Sequence, residues 1–371
     1  MAYRYFVTGA TGAIGSALLP LLLEEPDSRV WALMRADSKE HLTKRLEELI
    51  AFWELGPAQA QDARTRIMAL RGDTDQTRFA LPDDVYSEIT RQSTHIIHCA
   101  GVVKMNLPLE TARRHALGAA ENIVEMARAC QTSGVLRKIE FVSTVGVGGK
   151  MSGLVPETWI TQPREFHNTY EQSKAEAEDY LREQIELHQL PVTVHRPSMV
   201  VGDSKTGKII HYQIFYHICE FLAGRRTFGF LPNLGEVKLD TVAVDYVAAA
   251  IKYSSERRDS AGKIFHLCAG PDAIKLTELQ KLVRQTFKEG GIKTPMIIHL
   301  PIAAFNRLID LIVPLLSEKM SRIAKTFPFF LDYLSDKQIF DNSRTQQYLS
   351  RSPDFSNNQL DVAIKKYLQK I

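Results

Sequence analysis

The chain carries four cysteines in 371 residues, Cys99, Cys130, Cys219 and Cys268, and no Cys-x-x-Cys. That scarcity excludes a disulfide framework or a cysteine-rich zinc site, and reduced thiols in a cytoplasmic protein are expected. No run of about 18 uninterrupted apolar residues occurs, so no transmembrane segment is expected. The first strand begins by Tyr3, so no signal peptide is expected either. Excess charge is also missing. The net value of +3 is too small to imply nucleic acid, although a local basic patch could meet a phosphorylated ligand or an acidic carrier protein. There are no internal repeats, and apolar and charged fractions of 44% and 24% exclude a disordered chain. A length of 371 residues exceeds one compact core, which predicts a main domain with a smaller substrate-covering part.

What is present begins with a nucleotide site. Arg4–Thr8 reads as a buried strand running into Gly9-Ala10-Thr11-Gly12-Ala13-Ile14-Gly15 and an apolar helix, Ser16–Leu23, which Pro20 is expected to kink. Strand, Gly-x-x-Gly-x-x-Gly and helix in immediate succession give each glycine a task. Gly9 permits the tight turn, Gly12 lets backbone N–H groups approach a pyrophosphate, and Gly15 lets helix pack on strand. The second strand, Arg29–Leu33, runs out into Met34-Arg35-Ala36. An acidic residue there would accept from both ribose hydroxyls of NAD, whereas a guanidinium suits a 2′-phosphate, which points to NADPH. Lys44 and Arg45 on the next helix favour the phosphate; Asp37 would reverse the choice if the strand ended later. Ile67–Leu70 is a third strand ending at Arg71-Gly72-Asp73, whose carboxylate would accept from the adenine amino group or simply close a turn. Thr94–Cys99 is a fourth, ending at Ala100-Gly101, small enough for a cofactor to lie against backbone. His95 and His98 point to opposite faces of it and read as structural.

The amphipathic helix Leu109–Cys130 and the strand Leu136–Val142 continue the alternation, which predicts an α/β fold, a Rossmann-type doubly wound parallel sheet. Tyr170 and Lys174 then lie four apart on the helix Tyr170–His188 and share a face. The ammonium is expected to lower the phenol's pKa by favouring the phenolate, so that Tyr170 can pass a proton to or from an oxygen on carbon. Thr144, just past the strand, would hold the same oxygen, and Gly146, Gly148, Gly149 and Gly153 mark a mobile loop between them. A Tyr–Lys pair alone is more often a core tyrosine beside a solvated lysine; the nucleotide site gives this one a reaction to serve. After the strand Pro191–Arg196, Pro197 and Ser198 face the carboxyl edge of the sheet, where a nicotinamide ring would lie. From Lys208 the pattern changes to an aromatic-rich helix, Ile209–Gly224, basic Arg225-Arg226, and a loop, Gly229–Gly235. The expected division is therefore a nucleotide-binding core over 1–207 with returns at 236–270, and a mostly helical substrate-binding, lid and C-terminal part over 208–235 and 271–371. In the latter, Ile302, Phe305, Ile309, Ile312 and Leu316 form a stripe interrupted by Pro314. It reads as a helix packed on the lid, with peripheral membrane contact through 302–316 as the alternative.

Over residues 1–270 the chain resembles the extended short-chain dehydrogenase/reductases, on Thr8–Gly15, His98-Cys99-Ala100-Gly101, Val142-Ser143-Thr144 and Tyr170-x-x-x-Lys174. Within them, Met34-Arg35-Ala36 with Lys44-Arg45-Leu46, the stretch Asn168–Glu176, and Arg196-Pro197-Ser198 followed by Gly202-Asp203-Ser204-Lys205-Thr206-Gly207 are similar to the thioester reductase branch, as is Phe340-Asp341-Asn342. That branch includes fatty acyl-CoA reductases and the reductase domains of carboxylic acid reductases and peptide synthetases. The resemblance implies hydride transfer from NADPH to an acyl thioester of CoA or an acyl carrier protein, giving aldehyde and, on a second round, alcohol. Thr144 and Tyr170 would stabilise the oxygen, Tyr170 would donate the proton, and Lys174 would poise the tyrosine and hold the nicotinamide ribose. The implied cofactor set is Gly9, Thr11, Gly12, Ala13, Ile14, Gly15, Arg35, Arg45, Asp73, Ala100, Gly101, Tyr170, Lys174, Pro197 and Ser198, with no metal. Relatives carry Asn where this chain has His115-Ala116-Leu117-Gly118, so His115 is left out of the catalytic set. Arg225-Arg226 or Arg257-Arg258 would meet the carrier's phosphates unless they are plain surface turns, and a monomer or homodimer is expected. Readings that keep the fold are a nucleotide-sugar epimerase or dehydratase, a hydroxysteroid-type dehydrogenase, and a redox-sensing binding module. Arg35 counts against the first, the aromatic Tyr212–Phe221 segment favours a greasy substrate, and retention of both Tyr170 and Lys174 counts against the last.

Overall fold

Alternating apolar strands and amphipathic helices are realised as a seven-stranded parallel sheet in the computed structural model, which describes residues 2–233, 235–312, 338–349 and 360–370. Its strands are β1 (Arg4–Thr8), β2 (Arg29–Met34), β3 (Ile67–Arg71), β4 (His95–His98), β5 (Lys138–Val142), β6 (Val192–Pro197) and β7 (Ile264–Leu267), in the spatial order β7-β6-β5-β4-β1-β2-β3. Burial on both faces explains their nearly continuous apolar sequences. The order reverses between β1 and β4, where Thr8 pairs with His98, so the chain leaves these strands to opposite sides and opens a crevice at their carboxyl ends. His95 and His98 are core residues, as read: their Nδ1 atoms lie 2.8 Å from the Thr94 hydroxyl and 2.9 Å from that of Thr8, and burial pushes both down to about 3.

The helices are α1 (Ala13–Leu22), α2 (Lys39–Phe52), α3 (Pro57–Arg66), α4 (Asp83–Gln92), α5 (Leu109–Arg113), α6 (Ala119–Thr132), α7 (Thr169–His188), α8 (Ile214–Leu222), α9 (Val244–Ser255), α10 (Leu276–Glu289), α11 (Ile302–Ile312), α12 (Ser343–Leu349) and α13 (Leu360–Leu368). Helix α1 starts earlier than the sequence suggests and runs through Pro20. Proline cannot donate to the Ser16 carbonyl; the Trp53 indole N–H donates to it instead, at 2.7 Å. The helix expected over Leu109–Cys130 is interrupted by a π-helical turn at Arg114–Gly118.

Two expected loops are ordered instead. After β5, Val145, Val147 and Gly148 are buried, and Gly153–Val155 forms a strand beside Gln338–Phe340. The Gln338 side chain donates to the carbonyls of Met151, at 2.7 Å, and Gly149, so distant residues supply the order that local sequence does not. Likewise, Gly229–Gly235 contains a strand, Phe230–Pro232, paired with Ile298–Leu300. The aromatic helix is shorter than expected because regular hydrogen bonding begins only at Ile214.

Besides the two apolar cores flanking the sheet, a third joins Phe215 and Phe221 of α8, Leu279 and Phe287 of α10, Phe305 of α11 and Ile364 of α13. Phe305 is fully buried there, Ile309 is half-buried and Ile302 is exposed. Pro314, Leu316 and the side chain of Ile312 lie outside the described residues, as does part of the proposed membrane stripe. Among the described residues no helix is long and apolar enough to cross a membrane.

Helix α7 is fixed to the sheet by charge. Arg196, with no exposed surface, donates from Nη2 to Glu178 at 2.6 Å and from Nη1 to the Thr158 carbonyl at 3.0 Å. Replacing Glu178 by Leu would strand a buried guanidinium, at a cost of about 3–5 kcal/mol. A urea titration should show the midpoint falling accordingly; an unchanged midpoint would make the pair energetically idle.

Candidate active site

The crevice is shaped first by what cannot fit. Gly9 has φ +73°, and a Cβ there would stand 2.6 Å from the Ala100 nitrogen. One on Gly15 would overlap the Gly9 carbonyl oxygen, so the third glycine makes room for the turn itself rather than for the strand. Gly12 closes the turn by donating to Gly9 O at 2.9 Å and is the N-cap of α1. No side chain caps that helix, so the first-turn amides, from Ala13 onward, and the positive helix end suit an anion.

Arg45 reaches from α2 across this turn, donating to the Thr11 hydroxyl at 2.6 Å and to the Arg35 carbonyl. Arg35 is exposed at the end of β2, and Arg71 from β3 donates to the Asp37 carbonyl at 3.4 Å. The Asp37 carboxylate is turned to solvent, 99% exposed and 3.2 Å from His41, while Lys44 is 3.8 Å from Glu48. Three guanidiniums therefore surround the end of β2, with its nearest carboxylate facing out. Asp73 is half-buried past β3 and accepts from the Asp75 N–H at 3.2 Å.

The tyrosine helix is positioned at its first turn. Asn168 caps it, accepting from Glu171 N–H at 3.0 Å, and Glu171 turns back to accept from His167 N–H at 3.1 Å. One turn on, Lys174 is buried; its Nζ donates to the Val142 carbonyl at 3.2 Å, and a Cβ at Gly101 would come within 3.6 Å of it. Thr144 lies two residues past β5, its hydroxyl accepting from Gly146 N–H at 3.1 Å. Tyr170 and Lys174 line a narrow cleft together with Gly101, Val102, Ser173 and His115.

The electrostatics reverse one expectation. Burial pushes the Tyr170 phenol up to about 12, the Thr144 hydroxyl pulling against it and the Glu171 charge adding to it. Lys174 is itself pushed down to about 8 by burial, against the attraction of Glu178 and Cys99. Desolvation outweighs the cation because Lys174 sits against backbone and the Phe141 ring rather than on the phenol. The neutral form of the Tyr170 phenol is therefore the favoured one. Ser198 is buried next to Asp240, whose carboxyl burial raises to about 6, opposed by the Ser198 hydroxyl and by N–H groups of Ala269 and Gly270 at 2.9 and 2.8 Å. Cys99 is a half-buried thiol pushed up to about 12 by desolvation. Arg225 and Arg226 both engage Glu220, and Arg257 stacks 4.2 Å over the Tyr253 ring, while Arg258 is exposed. Among the described residues no cluster of His, Cys, Asp or Glu could hold a metal. Sequence reasoning set aside His115, which the π-turn brings to the cleft, and overlooked Asp75 behind it; forty positions separate the two, and no local pattern links them.

A parallel sheet with a glycine turn at its switch point and a Tyr-x-x-x-Lys pair at the same edge defines an oxidoreductase of the nicotinamide-binding Rossmann class. The family described as Male sterility protein, an NAD-binding family, matches residues 7–251, and the chain belongs to it. It is similar to isonitrile lipopeptide synthase of Streptomyces coeruleorubidus, 29% identical over 280 residues that make up 74% of this chain and 18% of that protein. A nonribosomal peptide synthetase of Aspergillus flavus, asaC, is 27% identical over 278 residues, 71% of this chain and 26% of that protein. The chain thus spans a minor part of these relatives. Among solved structures, the terminal R domain of the myxalamid PKS-NRPS pathway superposes with a TM-score of 0.80 at 24% identity, over 99% of this chain and 90% of that one. A thiolation-reductase di-domain of an archaeal non-ribosomal peptide synthetase gives 0.76 at 18%, over 99% and 75%. UDP-glucuronic acid 4-epimerase of Bacillus cereus gives 0.65 at 16%, over 99% and 97%. These likenesses establish the fold.

The Lys174 shift has a signed consequence. Its ammonium is lost as pH rises through about 8, so kcat/KM for carbonyl reduction should fall on that side. Lys174→Arg keeps its charge and should remove the limb whatever it does to the rate. Paired pH–rate profiles check this, and an identical limb in both would assign it to another group.

Proposed function

We propose that the protein reduces an acyl thioester, presented by coenzyme A or by phosphopantetheine on a carrier protein, to the aldehyde with NADPH, and on to alcohol if a second round follows. The observation that carries this reading is the neutral, half-buried Tyr170 phenol beside Thr144 at the same sheet edge as the uncapped glycine turn. The bound cofactor supplies a hydride to the carbonyl carbon. Tyr170 and Thr144 hold the carbonyl oxygen as it gains charge, and Tyr170, protonated at the outset, gives its proton to it. Lys174 then stabilises the phenolate, and collapse of the hemithioacetal releases free thiol. No cysteine is needed as a nucleophile, which accords with the desolvation that keeps the Cys99 thiol protonated. The first-turn backbone of α1, Thr11, and Ala100-Gly101 would cradle the pyrophosphate and nicotinamide half, with Asp73 toward the adenine and Pro197-Ser198 toward the ring. Arg35 and Arg45, with Asp37 facing away, suit a 2′-phosphate. A carrier protein as donor is supported by a relative that is a peptide synthetase and by a structural relative that joins a thiolation to a reductase domain. The third apolar core, built on α8, α10 and α11, is the proposed wall for the acyl chain.

NADPH oxidation across a panel of acyl-CoA and carrier-bound thioesters should release thiol in step with cofactor loss. Silence on thioesters together with turnover of ketones would replace this reading. Tyr170→Phe should lower kcat by about 10²- to 10⁴-fold with NADPH affinity retained; full turnover would remove the tyrosine from the chemistry. Converting both Arg35 and Arg45 to Ala should weaken NADPH at least about 10-fold more than NADH, measured by fluorescence titration, and equal losses would mean the ribose lies elsewhere.

A further inference from the structure

The outer side of the unit built by α8, α10 and α11 serves no step of the reaction above, yet it shows apolar groups to water. Phe228 is 69% exposed in a turn that the Phe230 N–H closes on the Thr227 carbonyl at 2.9 Å. Its φ of +52° lies in the left-handed region, which a bulky residue rarely adopts. Met296, 81% exposed, lies against the same turn: a Cβ on Gly229 would overlap the Met296 carbonyl oxygen, and the Ile298 N–H donates to the Gly229 carbonyl at 2.9 Å. Ile298 is itself 46% exposed. Exposed apolar side chains that are clustered rather than scattered mark a contact surface.

Beside them is a basic hollow. Arg284 of α10 donates to the Pro295 carbonyl at 2.9 Å and to the Ala223 carbonyl at 3.3 Å, which ties the helix to the Met296 segment. Arg284, Lys288 and Lys293 line a cavity of about 670 Å³ together with Gln285, Ile292 and Thr294. Glu289, next to Lys288, is engaged by Gln285 at 2.9 Å and by Lys365 at 3.8 Å. From Lys281 to Leu311 five cations stand against two carboxylates, a net +3 that equals the charge of the whole chain. The excess positive charge of the protein is thus gathered in the segment that also carries the apolar cluster.

We propose that this face docks on an anionic phospholipid surface, with phosphate head groups in the hollow of Arg284, Lys288 and Lys293 and with Phe228, Met296 and Ile298 at the acyl boundary. The local positive charge complements a layer of anionic head groups. Apolar side chains that project singly from a turn and a connecting segment suit a fluid layer, which needs no matching cavity in the partner. The docking stands without the reductase reading. Under that reading it brings the proposed wall for the acyl chain next to the layer in which long acyl groups collect.

Cosedimentation of the full chain with extruded vesicles tests this without any turnover. Binding to phosphatidylcholine containing about 30% phosphatidylglycerol should exceed binding to phosphatidylcholine alone and should weaken as salt rises. Lys288→Ala and Lys293→Ala should each lower the partition coefficient by about 5-fold. Phe228→Asn, which a left-handed backbone tolerates, combined with Met296→Ser should lower it at least about 10-fold while leaving the thermal melting curve in place. No binding to either vesicle, equal binding to both, or binding that these variants leave intact overturns the proposal. Displacement by inorganic phosphate at constant ionic strength would make the hollow a site for soluble phosphate. Retention by an acidic carrier protein without vesicle binding would assign the face to a protein partner, and either result also overturns the proposal.

Discussion

The site depends on the approach of two strand ends. Gly9 and Ala100 leave β1 and β4 so close together that no side chain fits between them, and this contact sets where every other group can stand. It forces the chain after Gly9 to turn at once into α1, which presents that helix's uncapped end, and it brings Ala100-Gly101 out next to Lys174. The uncapped end of α1 and the Tyr170–Lys174 end of the crevice are therefore two consequences of one backbone contact.

Burial then decides the chemistry. A cation one helical turn from a phenol favours the phenolate in water, but here Lys174 is buried and Tyr170 half-buried, and desolvation drives each toward its neutral form. The result is a phenol kept neutral and an ammonium that is weakened. That combination supports the proposed reduction of a carbonyl, which consumes a proton, over oxidation of an alcohol, which must dispose of one.

Much of this was legible because it is local. The glycine spacing, the strand before it, the Tyr170–Lys174 interval and the Asn168 cap all lie within single elements, where sequence separation maps directly onto space. The features that were misread are those in which a remote residue intervenes. The Ser16 carbonyl that Pro20 leaves without its helical donor is met by Trp53. Gly146–Gly153 is ordered because Gln338 bonds its carbonyls. His115 reaches the cleft because a π-turn rotates it toward a carboxylate forty positions away. The pKa direction at Tyr170 belongs with these, since depth of burial is a property of the finished tertiary structure.

The strand pairing between Gly153–Val155 and Gln338–Phe340 has a consequence for how the molecule comes into being. Glu157, in the same stretch, accepts from the backbone N–H groups of Arg344 and Thr345, at 2.6 and 3.1 Å, across sequence separations of 187 and 188 residues. Closing so large a loop is slow relative to folding the local units that precede it. During synthesis the parallel sheet can assemble while the segment after Thr144 still lacks its partners. The stretch beyond Thr144 thus completes its hydrogen bonding only when residues 187 and 188 positions away have reached it.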